Sequence, residues 1–280
     1  MLFSLILATY GRSVELGHLF ESLIKQDVGL DKFEVIVIDQ NDKIDLTPVI
    51  SKYSKLMHIK HIKSATKGLS YNRNIGIREA HGQYICFPDD DCTYYPDTLS
   101  TVWKRFKESK ANAVFGAIRD RNSGENIIRN WPLTNKKLSR YNFFSLYSSI
   151  TIFSKRNTLQ FNDNLGAGCY FGACEDSEYA YSLIKEFGEC YYFSDIEVWH
   201  PKVGIEQFTK EKNFSYGLGF GAFCALHKFD LFILRLFFMA LGYHFTLGFI
   251  SLIKGDRGAS SRRFDAVVSR FKGFIECLTR

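Results

Sequence analysis

The chain has 280 residues, 46% hydrophobic and 24% charged, a balance that excludes a disordered polypeptide and allows one sizeable core with an appended lobe. Its net charge of +6 is unevenly placed: seven Lys and Arg against three Asp and Glu lie between Lys254 and the C-terminus, which is four of the six excess charges. Seven scattered cysteines without a C-x-x-C pair argue against a disulfide framework or a zinc site and point to a reducing cytosol.

The first run, residues 3–9, is a short apolar strand ended by Tyr10-Gly11-Arg12, with no charged n-region before it, so no signal peptide is expected. Residues 14–26 carry Leu16, Leu19, Phe20, Leu23 and Ile24 at helical spacing, with Ser13 as the expected N-cap. A second buried strand over 34–38 ends at Asp39. A helix over 46–55, a strand over 58–62 and a helix over 69–81, stopped by Gly82, follow. The fourth strand, 84–87, runs straight into Asp89-Asp90-Asp91. A helix over 96–107 and a strand over 113–117 complete this half.

Alternating helices and continuously apolar strands predict an α/β fold with a parallel sheet, in which ligands bind beyond the carboxyl ends of the strands. Thr9 to Arg12, Asp39 to Asp42 and Asp89 to Asp91 all fall on that rim. Three adjoining acids repel one another, so either they form a solvated turn or a cation meets them there. Mg²⁺ or Mn²⁺ carrying phosphate oxygens suits that site.

Residues 119–142 are polar and irregular, the pattern of a mobile loop over the site. Beyond the turn-like 162–168, Cys174-Glu175-Asp176-Ser177-Glu178 opens a helix to about 187, stopped by Gly188. Short strands over 191–193 and 197–199 lead to His200-Pro201. By residue chemistry alone, Asp176 or Ser177 either caps that helix or supplies a base.

These landmarks resemble, in order, those of the family-2 glycosyltransferases, whose nucleotide-sugar-binding fold is called GT-A. The matching segments are Thr9-Tyr10-Gly11-Arg12, Val37-Ile38-Asp39, residues 67–76 (Lys67-Gly68-Leu69-Ser70-Tyr71-Asn72-Arg73-Asn74-Ile75-Gly76), Phe87-Pro88-Asp89-Asp90-Asp91, Gly172-Ala173-Cys174-Glu175-Asp176 and Trp199-His200-Pro201. They span about the first 200 residues; the remainder matches only loosely.

The resemblance implies a Rossmann-like, mostly parallel sheet flanked by helices, and an inverting, metal-dependent transfer from a nucleoside-diphosphate sugar, UDP-type favoured. Asp39 then accepts from the base imide, with Thr9, Tyr10 and Arg12 around the base. Asp91 and Asp89 hold the Mn²⁺ or Mg²⁺ and the ribose, with Asp90 beside them. Lys67 or Arg73 adds charge near the phosphates, although Arg73 equally suits a helix surface. Asp176 is the implied general base and Glu175 its neighbour on the acceptor side. His200 joins the metal shell, touches the diphosphate or packs beside Trp199; Trp131 either stacks on an acceptor sugar or packs.

Residues 236–253 contain no Asp, Glu, Lys or Arg. At 1.5 Å per residue they reach about 27 Å as a helix, borderline against a hydrocarbon core of about 30 Å. The basic stretch that follows supplies a second membrane signal, so a helical hairpin lying in the cytoplasmic face of an anionic membrane is preferred to a spanning helix, with an ordinary core or dimer helix as the third alternative. Gly217-x-Gly219-x-Gly221 does not follow a strand of the expected kind and reads as close helix packing. Nucleic-acid binding is disfavoured, because the basic residues accompany a greasy segment.

The expected organisation is a catalytic domain over 1–205 (nucleotide half 1–117, acceptor half 118–205) and a helical region over 206–280. The expected activity is sugar transfer to a glycan or lipid-linked acceptor in bacterial surface polysaccharide synthesis. Alternatives are a sugar-nucleotide nucleotidyltransferase, which lacks its usual Gly-rich loop here, and a non-catalytic membrane-surface protein of the same fold.

Overall fold

The computed structural model describes residues 1–202 and 209–280, so the expected boundary between 205 and 206 lies outside the described residues. Strands and helices alternate as predicted: β1 (Phe3–Thr9), α1 (Val14–Leu23), β2 (Phe33–Asp39), α2 (Thr47–Tyr53), β3 (His58–Lys63), α3 (Leu69–Glu79) and β4 (Tyr84–Cys86). Every residue of β2 is buried, and β1 has only Ala8 partly open; near-continuous apolar strands are what burial on both sheet faces requires. Ser13 does sit at the N-cap of α1, but its side chain makes no capping bond. Gly82 acts differently from a helix stop. A Cβ there would lie 2.5 Å from both Phe3 C and Ser4 N, so glycine lets the chain enter β4 hard against β1.

The sheet continues through β5 (Thr93–Tyr94), α4 (Thr98–Glu108), β6 (Ala113–Asp120), β7 (Glu125–Asn126), β8 (Lys136–Lys137), β9 (Ile152–Lys155), α5 (Glu175–Phe187) and β10 (Cys190–Trp199). Its order is β3-β2-β1-β4-β9-β6-β10-β5, with β7 on β6 and β8 on β10. The first four strands are parallel, with Thr9 opposite Asp39 and Asp39 opposite Lys63. The sequence pattern does not reveal β9, which enters antiparallel between β4 and β6. The two short strands expected near 191–199 are one strand whose register shifts between Tyr192 and Glu197.

The polar segment over 119–142, expected to be mobile, is tied down. Arg119 pairs with Glu197 at 2.5 Å, Arg121 pairs with Asp97 at 2.6 Å and Glu197 at 2.7 Å, and Ile127 is buried.

The chain forms two compact units. One holds Met1–Gln160 and the segment beginning at Tyr179; the other holds Phe161–Glu178 and the C-terminal helices. In the second unit α6 (Lys210–Leu226), α7 (Leu231–Ile253) and α8 (Arg257–Thr279) are N-capped by Thr209, Asp230 and Asp256, each side chain accepting a backbone N–H of the first turn. The three glycines of α6 do serve close packing. A Cβ on Gly217 or Gly221 would overlap Ser269 or the Arg270 carbonyl of α8, and one on Gly273 of α8 would overlap the Leu218 carbonyl. Helix α7 is, among the described residues, the one helix long and apolar enough to cross a membrane by length and composition. Its most apolar window has a mean hydropathy of 1.8 and is 11% buried.

Candidate active site

Parallel register puts the last residues of β1, β2 and β4 on one edge, so their polar ends meet there whatever the function. Asp39 closes β2 and is fully buried. Its Oδ1 accepts from the Asn41 backbone N–H and side-chain amide, each at 2.8 Å. Its Oδ2 lies 2.9 Å from His61 Nε2 and 2.8 Å from Lys63 Nζ. Burial alone would push this carboxyl up; hydrogen bonds from Lys63, Asn41 and His61 outweigh it and hold Asp39 below the usual carboxylate range. The carboxylate is thus covered by Asn41, His61 and Lys63, of which Lys63 is the most exposed at 56%.

None of Asn41, His61 and Lys63 stands out in the sequence. The available signal is the run His58-Ile59-Lys60-His61-Ile62-Lys63, where His61 and Lys63, two apart, share one face of the strand next to Asp39.

The acid triplet is partnered residue by residue. Asp89 pairs with Arg73 at 2.8 Å. Asp90 accepts from Thr9 Oγ1 at 2.7 Å and from Arg12 at 2.8 Å. Asp91 meets Arg12 and lies 3.4 Å from His200 Nε2. The expected counter-charge is thus supplied first by the protein itself. Topology explains how His200 arrives. β5 follows the triplet at once and pairs with the end of β10, setting Thr93 opposite Trp199.

Burial raises Asp90 to about 6 despite its bonds to Thr9 and Arg12. For Asp91, burial is outweighed by the hydrogen bonds and charges of His200 and Arg12, which hold it below its ordinary value. For His200 the same balance is reversed in sign: burial lowers it, but Asp91 and the Pro201 carbonyl raise it overall.

Two expectations change here and one open alternative, at Trp131, is decided. Arg73 is neither a surface residue nor one open to a phosphate; it is 1% exposed and holds Asp89 from within α3. Trp131 packs: it is 3% exposed, donates to the Ile127 carbonyl at 2.9 Å and lies parallel to Tyr192, so its faces are not available to a sugar. The metal set of Asp91, Asp89 and His200 is not assembled as three. Among the described residues no three His, Cys, Asp or Glu side chains converge, because Asp89 is turned to Arg73. Asp91 and His200 remain adjacent, one carboxylate and one imidazole. That donor pair fits a Mn²⁺ or Mg²⁺ that draws its other ligands from phosphate oxygens. Tyr10 is exposed, with Lys67 over its ring and also bonded to the Gln40 carbonyl.

The acidic pair lies in the second unit. The Glu178 N–H donates to the Cys174 carbonyl, which makes Cys174, at φ +68°, the residue before the helix. Asp176 therefore sits inside the first turn of α5 and is not its cap; its Oδ1 accepts from the Ser177 N–H at 2.8 Å. Negative charge in that turn is favoured by the helix dipole. Glu175 is buried and partnered. Gly219 of α6 lies against the backbone of Ala173, where any Cβ would collide, so α6 buttresses the segment that presents Asp176.

Residues 4–173 match the family described as Glycosyl transferase family 2, and the chain belongs to that family of sugar-transferring enzymes. The chain is 25% identical over 126 residues to a poly(ribitol-phosphate) β-N-acetylglucosaminyltransferase, TarP of Staphylococcus aureus. That stretch covers 44% of this chain and 38% of the relative. It is 25% identical over 175 residues to a GalNAc(5)-diNAcBac-PP-undecaprenol β-1,3-glucosyltransferase of Campylobacter jejuni, covering 58% of this chain and 56% of that one. The matches thus span roughly two-fifths to just over half of these relatives' own length. In three dimensions the chain is similar to S. aureus TarS residues 1–349 in complex with UDP, with a TM-score of 0.62 at 18% identity, over all of this chain and 92% of the other. This likeness bears on the fold alone and agrees with the GT-A architecture expected from the sequence.

Proposed function

We propose that this family-2 glycosyltransferase moves a sugar, with inversion, from a UDP-type nucleotide sugar to a hydroxyl of a lipid-linked glycan during bacterial surface polysaccharide synthesis. The carrying observation is the convergence of Asp39, Arg12, Asp91 and His200 on one edge of the parallel sheet. Thr9, Tyr10, Arg12 and Asp39 receive the nucleoside, and Lys67 lies within reach of the diphosphate. Asp91 and His200 would hold a divalent cation, which when bound neutralises the diphosphate leaving group. Arg73 fixes Asp89 from behind. Asp176 takes the proton of the acceptor hydroxyl as its oxygen attacks the anomeric carbon on the face opposite the diphosphate. The UDP complex of the structural neighbour and the undecaprenol-linked substrate of the Campylobacter relative support donor and acceptor class.

We place the enzyme on the cytoplasmic face of an anionic membrane. Phe238, Met239, Phe245 and Phe249 of α7 are exposed, and the net-positive stretch from Lys254 supplies Coulomb attraction beside them. The test is to incubate the full chain with a panel of sugar nucleotides and Mn²⁺. Release of nucleoside diphosphate is the expected result. Pyrophosphate release would instead indicate nucleotidyl transfer, and silence across the panel a binding protein.

A further inference from the structure

The helical unit contains a cavity of about 350 Å³ whose lining comes from α6, α7 and α8. Its charged lining is Lys210, Arg262, Arg263 and Arg270 against Asp265, with His244 alongside. Lys210 reaches Asp265 at 3.2 Å, and Arg263 lies 3.3 Å from His244 Nδ1. Those contacts leave three arginines around a small volume without a matching acid in that lining. Like charges held together in a partly buried space repel, so an anion bound there would stabilise the arrangement. Arg270 adds a second, independent sign. One of its terminal nitrogens donates to the Ala266 carbonyl at 2.9 Å, yet its Nε is buried with no hydrogen-bond partner among the described residues. A desolvated guanidinium with a donor left unpaired is an under-compensated cation, a deficit that an anion in the cavity would offset.

We propose that this cavity is an anion site that takes a phosphate or diphosphate group carried by the acceptor. Arginine forks suit phosphate oxygens in bidentate geometry, and the volume admits a headgroup of that size. The exposed apolar side chains of α7 belong to the same unit, which favours a phosphate at a lipid surface. Assigning the group to the acceptor rests on the glycosyltransferase reading; binding of the anion does not.

Titration calorimetry of the full chain with pyrophosphate in metal-free buffer tests the site. Wild type binds, and the double variant Arg262→Gln/Arg263→Gln, placed on less buried residues than a core substitution, loses about tenfold or more in affinity. Its circular dichroism and its Mn²⁺-dependent UDP affinity remain those of wild type. Equal pyrophosphate affinity in wild type and double variant, or loss of binding in Arg12→Gln instead, overturns the proposal. Co-sedimentation with phosphatidylcholine vesicles, with and without phosphatidic acid, identifies the source. If the gain from phosphatidic acid disappears in the double variant, the phosphate is lipid-borne. If that gain persists while pyrophosphate affinity falls, the phosphate belongs to a non-lipid acceptor. Pyrophosphate binding by a protein that turns over no sugar nucleotide would sink the transferase reading and leave the anion site standing.

Discussion

β2 and α7 are both strongly apolar, and the fold treats them in opposite ways. β2 exposes none of its residues, whereas the most apolar window of α7 is 11% buried and leaves large aromatic side chains open. The charges differ likewise. At the sheet edge every acid of the triplet meets a cation, Arg73 for Asp89 and a shared Arg12 for Asp90 and Asp91, while the helical unit gathers arginines around a cavity with too few acids to match them. Hydrophobic content alone therefore does not identify a core. Neighbours on both faces make β2 a core strand, whereas α7, packed chiefly along α8, keeps an apolar surface exposed.

Removing apolar volume from each element tests this difference most strongly. Ile36→Ala in fully buried β2 is expected to cost about 2–5 kcal/mol in denaturant unfolding. Phe249→Ala, at a position 54% exposed, should stay within about 0.5 kcal/mol of wild type but weaken co-sedimentation with phosphatidylglycerol vesicles. If Phe249→Ala unfolds the protein as readily as Ile36→Ala, α7 is a core or oligomer helix and the contrast collapses. Truncation before Phe229 is a poorer probe, because it strips α6 of the glycine seam it shares with α8.

Substituting one acid in each unit should separate binding from chemistry. Asp176→Asn is expected to lower turnover by roughly 10²-fold or more with donor affinity unchanged, since a base acts in the chemical step. Asp91→Asn should instead weaken Mn²⁺-dependent UDP binding by about tenfold or more, read by calorimetry. Equal losses of nucleotide affinity in the two variants would remove the distinction.

The smallest effect concerns pH. Glu34 is partly desolvated, which raises its pKa, but hydrogen bonds from Ser4 Oγ and the His81 N–H, with the His81 charge, lower it overall. A depressed carboxyl contributes stability above its unfolded value and loses it as pH falls through the folded one. Acid unfolding should therefore steepen as the pH drops below about 4.5, the ordinary value of a glutamate. Glu34→Gln, which keeps the accepting oxygen, should flatten that limb of a stability–pH curve; an unchanged limb would assign it to other carboxyls.

The sheet half was legible because alternation, apolar runs and terminal polar clusters are local signals. Thr9, Asp39 and Asp91 could be placed from strand ends alone. β9 was not legible: four residues inside a longer apolar stretch carry no period of their own. The partners of Asp39 were missed because His61 and Lys63 gain meaning only from a neighbouring strand's register. The burial of Arg73 was missed and the choice between stacking and packing for Trp131 stayed open, because burial is decided by tertiary neighbours, not by residue type. The link between α6 and the Asp176 segment needed a contact across 46 positions, Ala173 to Gly219, which spacing does not reveal.

The path of the chain between the two units has a consequence for how the protein is made. Phe161–Glu178 belongs with the C-terminal helices, yet the polypeptide then returns to the sheet and lays β10 between β6 and β5. On the ribosome the sheet stays incomplete until Trp199 has emerged, while the segment bearing Asp176 waits longer still, for α6 and α8. Severing the chain after Gln160 would leave β10 on the wrong fragment, and severing it after β10 would orphan Phe161–Glu178. The two units are interlaced in synthesis, so neither can be excised as a self-sufficient piece by a single cut.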